Sequence, residues 1–386
     1  MNDSTVIFEN IDLHLHNSVD WSRINSEMTE QERRFVHGIV RHYKPKRLLE
    51  LGVSRGAGSV NLLNAISDDE QAKLVSIDVM DSFYGDGDIP VGSDVAKVFP
   101  DLKCGKWNLF TGVDVSVLIE SLDEKFDFAV IDTAHTHPVE SLNFLCVLPY
   151  LSDNAVVVFH DISLFYYQDC KRFALASRIL ISTLCGKKMF PATKETEFIS
   201  SSEPVNNISA VIVTPELIRN ISNLFIALSL PWEMYPAKDM FSIRSLLEKH
   251  YNEEQLSMFD EADRSNLAWF ISGGTTFSSE RLAESIKSID ESVVFYGAGL
   301  NMHRLLNLYR QSEIKFDYPI WDIKAETIDL LETHRIVPPD FKTRVSGTTA
   351  IITISDKLTS DYVKSQLEQI GYSCVCGLKE LFYETT

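Results

Sequence analysis

The sequence predicts an α/β fold, in which a doubly wound parallel sheet is followed by a second, smaller Rossmann-like α/β domain. Two stretches, 47–63 and 293–306, each read as a strand, a glycine turn and a helix. Short apolar runs that end on acidic residues alternate with helical spacing, as in parallel strands joined by helices. At 386 residues the chain can hold two or three domains with full cores. We expect a first domain over 1–215, a helical bridge over 216–290 and the Rossmann-like domain over 291–386.

Composition favours a soluble globular protein, with 45% hydrophobic and 24% charged residues and a formal net charge of -19. So acidic a chain repels phosphate backbones and anionic lipid, and we expect neither nucleic acid nor membrane as a partner. The chain has no apolar run of about 18 residues, and its first residues lack the pattern of a signal peptide. The six cysteines are too few for a disulfide scaffold and lack zinc-site spacing. We therefore predict reduced thiols, mostly in the core, and a cytoplasmic protein.

The glycine turn at 47–63 predicts a ligand cradle. An apolar strand ends there, the chain turns, and helical spacing begins; the residues that mark this change are Glu50, Gly52, Gly56, Gly58 and Ser59. Missing side chains let a ligand approach the backbone, and the free N–H groups of the helix start point at it. The next strand, 74–77, ends on Asp78 about 20 residues beyond the turn, where such folds hold ribose hydroxyls. The alternative for Asp78 is an acid on an ordinary strand-end loop.

Polar residues also follow the later apolar strands of the predicted sheet. Because ligands of doubly wound folds bind at the carboxyl ends of parallel strands, we expect one edge to carry several ionisable groups. These are Asp78, Asp132, His135, His160 and Asp161. Two carboxylates and an imidazole suit a divalent cation such as Mg²⁺ or Mn²⁺. His135 lies three residues past Asp132, close enough to act on a group bound there. In the alternative, His160 and Asp161 only support a loop.

Two sets of motifs resemble known families. The spacing E-x-G-x-x-x-G-x-G resembles motif I of the class I S-adenosylmethionine (SAM) methyltransferases. The strings I-D-T-A-H and F-H-D resemble those of metal-dependent sugar O-methyltransferases of macrolide biosynthesis and their cephalosporin-hydroxylase-like relatives, which carry I-D-G-x-H and E-D or H-D. The resemblance covers about residues 29–214. It implies a class I methyltransferase sheet that binds SAM at the glycine turn.

The resemblance also implies roles for single residues. Metal ligands fall at Asp132 and Asp161, and a general base falls at His135. Thr133 replaces the family's glycine and His160 replaces its ligand glutamate, so the third ligand is open, with His160 as the candidate. The cofactor-binding residues implied are Glu50, Gly52, Gly56, Ser59, Asp78, Asp114 and Asp132, of which Asp114 is one position off the adenine-contacting pattern. Alternatively, Asp132 meets the methionine part of SAM and no metal binds.

Two further segments of the first domain carry structural predictions. Residues 79–106 are rich in glycine and acidic residues and predict a lid or substrate loop. Residues 195–214 read as two strands with a turn, the antiparallel edge pair expected at the end of a methyltransferase sheet.

The N-terminal segment carries two local patterns. Thr29 and Glu32 have the spacing of a capping box before a helix. His14 and His16 read as a surface strand with both rings on one face, which is also the spacing of a ligand pair.

The last domain repeats the strand–turn–helix pattern in a weaker form. Its second predicted strand, 314–322, ends on Asp322, at the distance of a ribose acid. Met302 stands where the dinucleotide fingerprint needs a third glycine for close packing of helix on strand. We therefore predict negligible binding of NAD(H) and NADP(H), and a structural or substrate-presenting role. The domain resembles the nucleotide-binding-like tail domains of bacterial surface-sugar enzymes and of deoxysugar C-methyltransferases.

Together these features predict a SAM-dependent O-methyltransferase, assisted by Mg²⁺ or Mn²⁺. Its partner would be a small hydroxyl-bearing acceptor: a sugar, a nucleotide sugar or a glycosylated metabolite. The helical bridge is a candidate substrate cover or homo-oligomer contact. The alternatives are a non-catalytic scaffold of two α/β domains and a metal-independent small-molecule methyltransferase. An NAD-linked sugar enzyme is a weaker alternative, because the sequence shows no obvious catalytic cysteine pairing.

Overall fold

The chain divides into two units, each with its own sheet. One comprises Met1–Leu228 and Ser245–Leu256, and the other Ser229–Arg244 and Ser257–Thr386. The segment predicted as a helical bridge is thus shared between the two units. The computed structural model describes residues 6–166, 175–192, 206–233, 240–271, 286, 292–299, 302, 305–306, 315–325, 330–331, 334–339, 347–354 and 357–376.

The first unit contains a seven-stranded sheet and a small hairpin. The strands are β1 Arg47–Leu51, β2 Lys73–Ile77, β3 Ser82–Phe83, β4 Asp86–Pro90, β5 Trp107–Phe110, β6 Phe126–Ile131, β7 Leu151–His160, β8 Lys188–Met189 and β9 Ile208–Ile212. In the large sheet the order is β5-β2-β1-β6-β7-β9-β8, parallel from β5 to β7 and antiparallel in the last two pairings. The predicted doubly wound sheet is confirmed.

The antiparallel edge differs in part from the prediction. The second predicted strand is β9, but its outer neighbour is β8, from before the predicted segment. Residues 193–205, which include the first predicted strand, lie outside the described residues.

The register of the parallel strands brings their carboxyl ends to one edge. Leu51 at the end of β1 pairs with Ile77 on one side and with Ile131 on the other, and Ile131 pairs in turn with Phe159. These side chains are almost fully buried, which explains the near-continuous apolar runs that predicted the strands. The residues that follow each strand therefore meet at the same edge of the sheet.

Helices of the first unit precede and connect the strands of this sheet. They are α1 Leu13–His16, α2 Glu30–Tyr43, α3 Ala57–Ala65, α4 Val95–Val98, α5 Val115–Leu118, α6 Val139–Val147 and α7 Ala176–Thr183, and α8 Pro215–Arg219 and α9 Ser222–Ala227 follow the last strand. α10 Met240–Glu248 and α11 Glu253–Ile271 each contain residues of both units, and α12 Lys357–Gln369 lies in the second unit. Short 3-10 turns span Phe8–Asn10, Trp21–Arg23, Ile119–Leu122, Leu148–Tyr150 and Leu164–Tyr166. Among the described residues, no helix is long and apolar enough to cross a membrane.

The capping box before α2 is confirmed, and the strand predicted near it is wrong. The Thr29 N–H donates to Oε2 of Glu32 at 2.7 Å, and the Glu32 N–H donates to Oγ1 of Thr29 at 3.3 Å. His14 and His16 lie in the short helix α1, where a two-residue spacing does not place side chains on one face. His14 is accordingly exposed and His16 is buried.

The predicted loop over 79–106 has more regular structure than expected. Strands β3 and β4 form an antiparallel hairpin, and α4 follows it. Tyr84 at the tip of this hairpin is 71% exposed. The hairpin leaves the sheet directly after β2, so it starts at the edge where the polar residues gather.

The cysteines were predicted to lie mostly in the core, and this is wrong for the described ones. Cys146 on α6 is buried, whereas Cys104 is exposed and Cys185 and Cys374 are half-buried. Cys104 lies in the turn before β5, outside the apolar runs that fill the core.

The second unit is built on a six-stranded sheet. Its strands are β10 Ser292–Tyr296, β11 Ile320–Trp321, β12 Leu330–Leu331, β13 His334–Val337, β14 Thr348–Ile352 and β15 Ser373–Cys376. The order is β12-β13-β11-β10-β14-β15, and only the pairing of β12 with β13 is antiparallel. This confirms the second α/β domain. Met302 is fully buried, as expected of a bulky residue in place of the third glycine.

Candidate active site

The glycine turn after β1 requires glycine at three positions. Gly52 has φ +82°, and a Cβ there would lie 1.7 Å from the carbonyl oxygen of Asp132. Gly56, with φ +99°, begins α3, and a Cβ there would lie 3.0 Å from Cα of Gly92. A Cβ on Gly58 would lie 2.4 Å from Oε1 of Glu50. The turn therefore packs against its neighbours so closely that side chains are excluded.

Glu50 and Ser59 lie beneath this turn. The hydroxyls of Ser59 and Ser76 donate to Oε2 of Glu50 at 2.5 and 2.6 Å, and the carboxyl group is almost fully buried. Burial, with a smaller contribution from the nearby carboxylates of Asp132 and Asp78, raises the pKa of Glu50 to about 7. The two residues predicted to bind a cofactor are thus bonded to each other. Their geometry supports a role in shaping the turn.

Asp78 stands at the end of β2, as expected, and its carboxylate already holds the turn. Oδ2 accepts the N–H of Val53 at 2.8 Å and of Ser54 at 3.1 Å, and Oδ1 accepts the N–H of Met80 at 2.9 Å. The side chain remains partly exposed. Because an ionised carboxylate has about four lone-pair sites, three backbone bonds leave capacity for a hydroxyl donor.

Asp114 begins the short helix α5. Its Oδ1 accepts the N–H of Ser116 at 2.8 Å. The carboxylate is partly exposed, and its other oxygen has no bond assigned in the described part of the chain. The helix-capping role was not predicted, and contact of Asp114 with an adenine ring stays a prediction.

The predicted rim residues at the ends of β6 and β7 come together. Nε2 of His135 lies 3.0 Å from Oδ2 of Asp161 and 3.8 Å from Oδ1 of Asp132. Nδ1 of His160 lies 3.2 Å from Oδ1 of Asp132 and 3.3 Å from Oδ2 of Asp161. Two imidazoles thus face the same two carboxylates.

Electrostatics couples these four side chains. Burial alone would lower the pKa of both histidines, but Asp132 and Asp161 raise the pKa of His135 above its ordinary value and that of His160 well above it. Burial would raise the pKa of Asp161, but His160 and then His135 hold it well below its usual range. Without another cation, the cluster therefore favours charged imidazoles beside charged carboxylates.

The backbone around His135 is fixed by a buried acid on α6. His135 has φ +57°, and its N–H donates to Oε1 of Glu140. The Thr133 hydroxyl donates to the same oxygen at 3.3 Å and accepts from Asn143 at 3.0 Å. The departure from the family's glycine at Thr133 therefore has a structural reason, since its hydroxyl helps to hold the turn that carries His135.

His160 differs from His135 in exposure and in what lies behind it. The His160 side chain is 5% exposed, and its Nε2 lies 3.5 Å from Oε1 of Glu32 on α2. His135 is 30% exposed. Carboxylates thus face both ring nitrogens of His160 and enclose it, whereas the His135 ring can be reached from solvent.

The geometry fits a divalent cation. Asp132, His135 and Asp161 each offer a ligand atom, and these atoms all lie within 4.8 Å of one another. Ligands about 2.1 Å from an octahedral ion lie about 3 to 4.2 Å apart, so the spacing matches a single ion. His160 lies at similar distances from both carboxylates, and Glu32 behind it matches the carboxylate–histidine pairing typical of metal ligands. Both histidines are therefore candidates for the imidazole ligand.

Three residues around the site were missed by sequence reasoning: Glu32, Glu140 and Asn207. The sequence marks Glu32 only as a capping residue, and Glu140 reads as an ordinary residue of a helix. Asn207 precedes β9, and its amide Nδ2 donates to Oδ1 of Asp161 at 2.6 Å. Glu32 and Asn207 come from elements distant in sequence from His160 and Asp161, and Glu140 lies only five residues past His135 but in a turn whose geometry no local pattern reports.

Comparison with known proteins agrees with the predicted domain. Residues 49–162 match the model of a family described as a methyltransferase domain. The prediction of a methyltransferase domain, and thus of an enzyme, is confirmed. The match covers the glycine turn, Asp78 and the rim as far as Asp161. No curated protein matches the chain.

Solved structures of methyltransferases resemble about half of this chain at low identity. One is the O-methyltransferase TomG from Streptomyces achromogenes, involved in tomaymycin synthesis, in complex with SAM, at 19% identity and a TM-score of 0.37 over 53% of this chain and 90% of that one. Another is an O-methyltransferase from Bacillus cereus in complex with SAH, at 12% identity and a TM-score of 0.34 over 54% of this chain and 90% of that one. A putative O-methyltransferase from Klebsiella pneumoniae has 14% identity and a TM-score of 0.36 over 54% of this chain and 90% of its own. These scores are too low for the likenesses to carry an argument.

Proposed function

We propose that the chain transfers a methyl group from SAM to a hydroxyl of a sugar, nucleotide sugar or glycosylated metabolite, with a divalent cation and with His135 as general base. One observation carries the proposal. In a domain that matches a methyltransferase model, two carboxylates and two imidazoles converge within 3.0–3.8 Å at the sheet edge that also bears the glycine turn.

SAM would lie on the glycine turn. Gly52 and Gly56 keep side chains away from its backbone, and Asp78 would accept a ribose hydroxyl with its remaining capacity. Glu50 and Ser59 would support this surface from below through their buried hydrogen bond. Asp114 would meet the adenine ring, as the family resemblance implies.

The proposed cation site uses Asp132, Asp161 and His160. The exposure of the two histidines supports this division, because a base must reach the acceptor and His160 is enclosed. Bound there, Mg²⁺ or Mn²⁺ would supply Lewis-acid stabilisation of the alkoxide form of the acceptor.

His135 would take the hydroxyl proton. An alcohol holds its proton too tightly to react at neutral pH, so removing the proton while the oxygen is aligned lowers the barrier. With the charge of Asp132 and Asp161 neutralised, the pKa of His135 would return toward its ordinary value, where the imidazole can accept a proton. Glu140 would keep the ring in place through the backbone bond at His135.

The hairpin over β3 and β4 is the proposed acceptor side of the site. The Tyr84 hydroxyl donates to Glu27. Partial desolvation and the Glu27 carboxylate, and to a smaller extent Asp132 and Asp161, raise the pKa of Tyr84. A largely exposed aromatic ring at this place is suited to packing against the apolar face of an acceptor.

Methyl transfer from labelled SAM tests the proposal. A panel of methyl glycosides, nucleotide sugars and glycosylated small molecules would serve as acceptors, with Mg²⁺ or Mn²⁺ present. Product that carries the label on a hydroxyl oxygen supports it. If SAM binds and no acceptor of these classes is methylated, the acceptor assignment is wrong.

One observation favours a second candidate, a metal-independent methyltransferase. Nδ1 of His160 lies within hydrogen-bond distance of both Asp132 and Asp161, and its pKa is raised well above the usual value. A protonated imidazole can balance these carboxylates by itself. Activity that persists in EDTA would select this candidate.

A further inference from the structure

We propose that Asn207 is a positioning residue that directs one oxygen of Asp161 into the site. Its Nδ2 donates to Oδ1 of Asp161 at 2.6 Å, while Oδ2 of Asp161 faces His135 at 3.0 Å. The two oxygens of one carboxylate therefore have separate partners. This role rests on the proposed function, in which Asp161 helps to hold a divalent cation.

Asn207 also fixes the backbone next to Asp161. Its carbonyl oxygen accepts the N–H of Ile162 at 3.1 Å, and its Oδ1 accepts the N–H of Ser163 at 2.9 Å. Asp161 has φ +56°, a left-handed conformation that residues other than glycine adopt infrequently. Three bonds from one residue thus hold both the strained turn and the carboxylate that it carries.

The position of Asn207 on a neighbouring strand makes this arrangement rigid. Residue 207 directly precedes β9, which pairs antiparallel with β7 so that His160 lies opposite Ile208. Asn207 is 8% exposed, so water competes little for the hydrogen bonds of its side-chain amide. Because Asn207 holds Oδ1 of Asp161, only Oδ2 is available to an ion. Asp161 would therefore bind the ion through one oxygen, as a monodentate ligand. Removing such an outer partner typically lowers metal affinity about 10- to 100-fold.

Asn207→Ala and Ser163→Ala form a matched pair for the test. Asn207→Ala removes the two side-chain bonds of this residue, to Asp161 and from Ser163. Ser163→Ala also removes two side-chain bonds from the same turn, to the carbonyl of Asn206 and from Arg178, but leaves the Asp161 carboxylate bonded. Both variants should lose similar thermal stability, so only a specific effect on Asp161 separates them.

The readout is Mn²⁺ affinity, measured by electron paramagnetic resonance on the full chain. We expect Asn207→Ala to weaken Mn²⁺ binding about 10- to 100-fold and Ser163→Ala to leave it within about twofold. SAH affinity by calorimetry should be unchanged in both. Equal loss of Mn²⁺ affinity in the two variants would overturn the inference, because it would reflect a general disturbance of the turn and not the loss of the bond to Asp161.

A second variant covers the case in which Asn207→Ala does not fold. Asn207→Leu keeps the approximate volume of the side chain and removes the donor without adding charge, so Mn²⁺ affinity should fall as far. Wild-type affinity in Asn207→Leu contradicts the inference. If the wild-type protein binds no Mn²⁺, the metal part of the proposed function fails by itself. Crystal structures of the wild type and of Asn207→Ala then decide: an Asp161 carboxylate with the same orientation in both overturns the inference.

Discussion

Nε2 of His135 lies 3.0 Å from Oδ2 of Asp161, and the two side chains come from the ends of neighbouring parallel strands. The same carboxylate oxygen lies 3.3 Å from His160. The proposed base, a candidate metal ligand and the carboxylate they share are thus assembled at the edge of a domain that matches a methyltransferase model.

His135→Ala should lower kcat by about 10²–10⁴, the usual contribution of a positioned base. SAM affinity should change little, because the ring lies beyond the glycine turn. Steady-state kinetics with the best acceptor of the panel and calorimetry with SAM measure the two effects. His14→Ala removes an exposed histidine on α1 and serves as the control. A kcat near the wild-type value in His135→Ala would exclude this residue as the base.

Asp78→Ala should weaken SAM binding about 10- to 100-fold, since a hydrogen bond to a carboxylate contributes about 1.5–3 kcal/mol. The second unit offers a matched control. Oδ2 of Asp322 accepts the N–H of Ala298 at 2.8 Å, as Asp78 accepts that of Val53 at 2.8 Å. Asp322→Ala therefore disturbs an equivalent turn and should leave SAM affinity unchanged. Unchanged affinity in a folded Asp78→Ala variant would remove the cofactor role of this acid.

Glu50 should make the protein less stable as pH rises from about 4.5 to about 7. Its pKa in the folded state is raised to about 7 from 4.5, so the folded state holds this proton more tightly than the unfolded state. Over that interval the free energy of unfolding should fall by roughly 3 kcal/mol relative to Glu50→Gln, which has no proton to lose. Urea unfolding of both proteins at pH 5 and pH 8 measures this. A difference between them that does not change with pH would show that Glu50 has an ordinary pKa.

The full chain should bind NAD(H) and NADP(H) negligibly at its second unit. Met302 is fully buried where the fingerprint needs glycine, and a bulky side chain at that place opposes the close packing of helix on strand that dinucleotide binding requires. Calorimetry with each dinucleotide, with SAH present to occupy the first unit, measures this. Micromolar affinity for either would contradict the prediction.

The fold and the rim could be predicted because both depend on local patterns and one general rule. Apolar runs that end on Asp78, Asp132 and His160 mark strands, and parallel strands bring their carboxyl ends to one edge. The hydrophobic pattern also predicted α2 and the second sheet. The error at His14 arose because two histidines two residues apart carry no hydrophobic pattern that separates a strand from a short helix.

The outer partners of the site could not be predicted from the sequence. Glu32 and Asn207 contact His160 and Asp161 only after a helix and a distant strand have packed on the sheet, and Glu140 accepts the N–H of His135 across the turn before α6. Burial also changes what a motif residue does. Glu50 closes a strand as a cofactor acid would, yet its carboxyl group faces two serine hydroxyls beneath the turn.

Methyl transfer from labelled SAM before and after EDTA treatment tests the central claim most directly. The account predicts that EDTA abolishes transfer to the acceptor hydroxyl, that Mg²⁺ or Mn²⁺ restores it, and that Asp161→Ala loses activity and metal response together, because this carboxylate would hold the cation beside His135. Full activity in EDTA would contradict the metal role of Asp132 and Asp161, and would leave His135 to act without a cation.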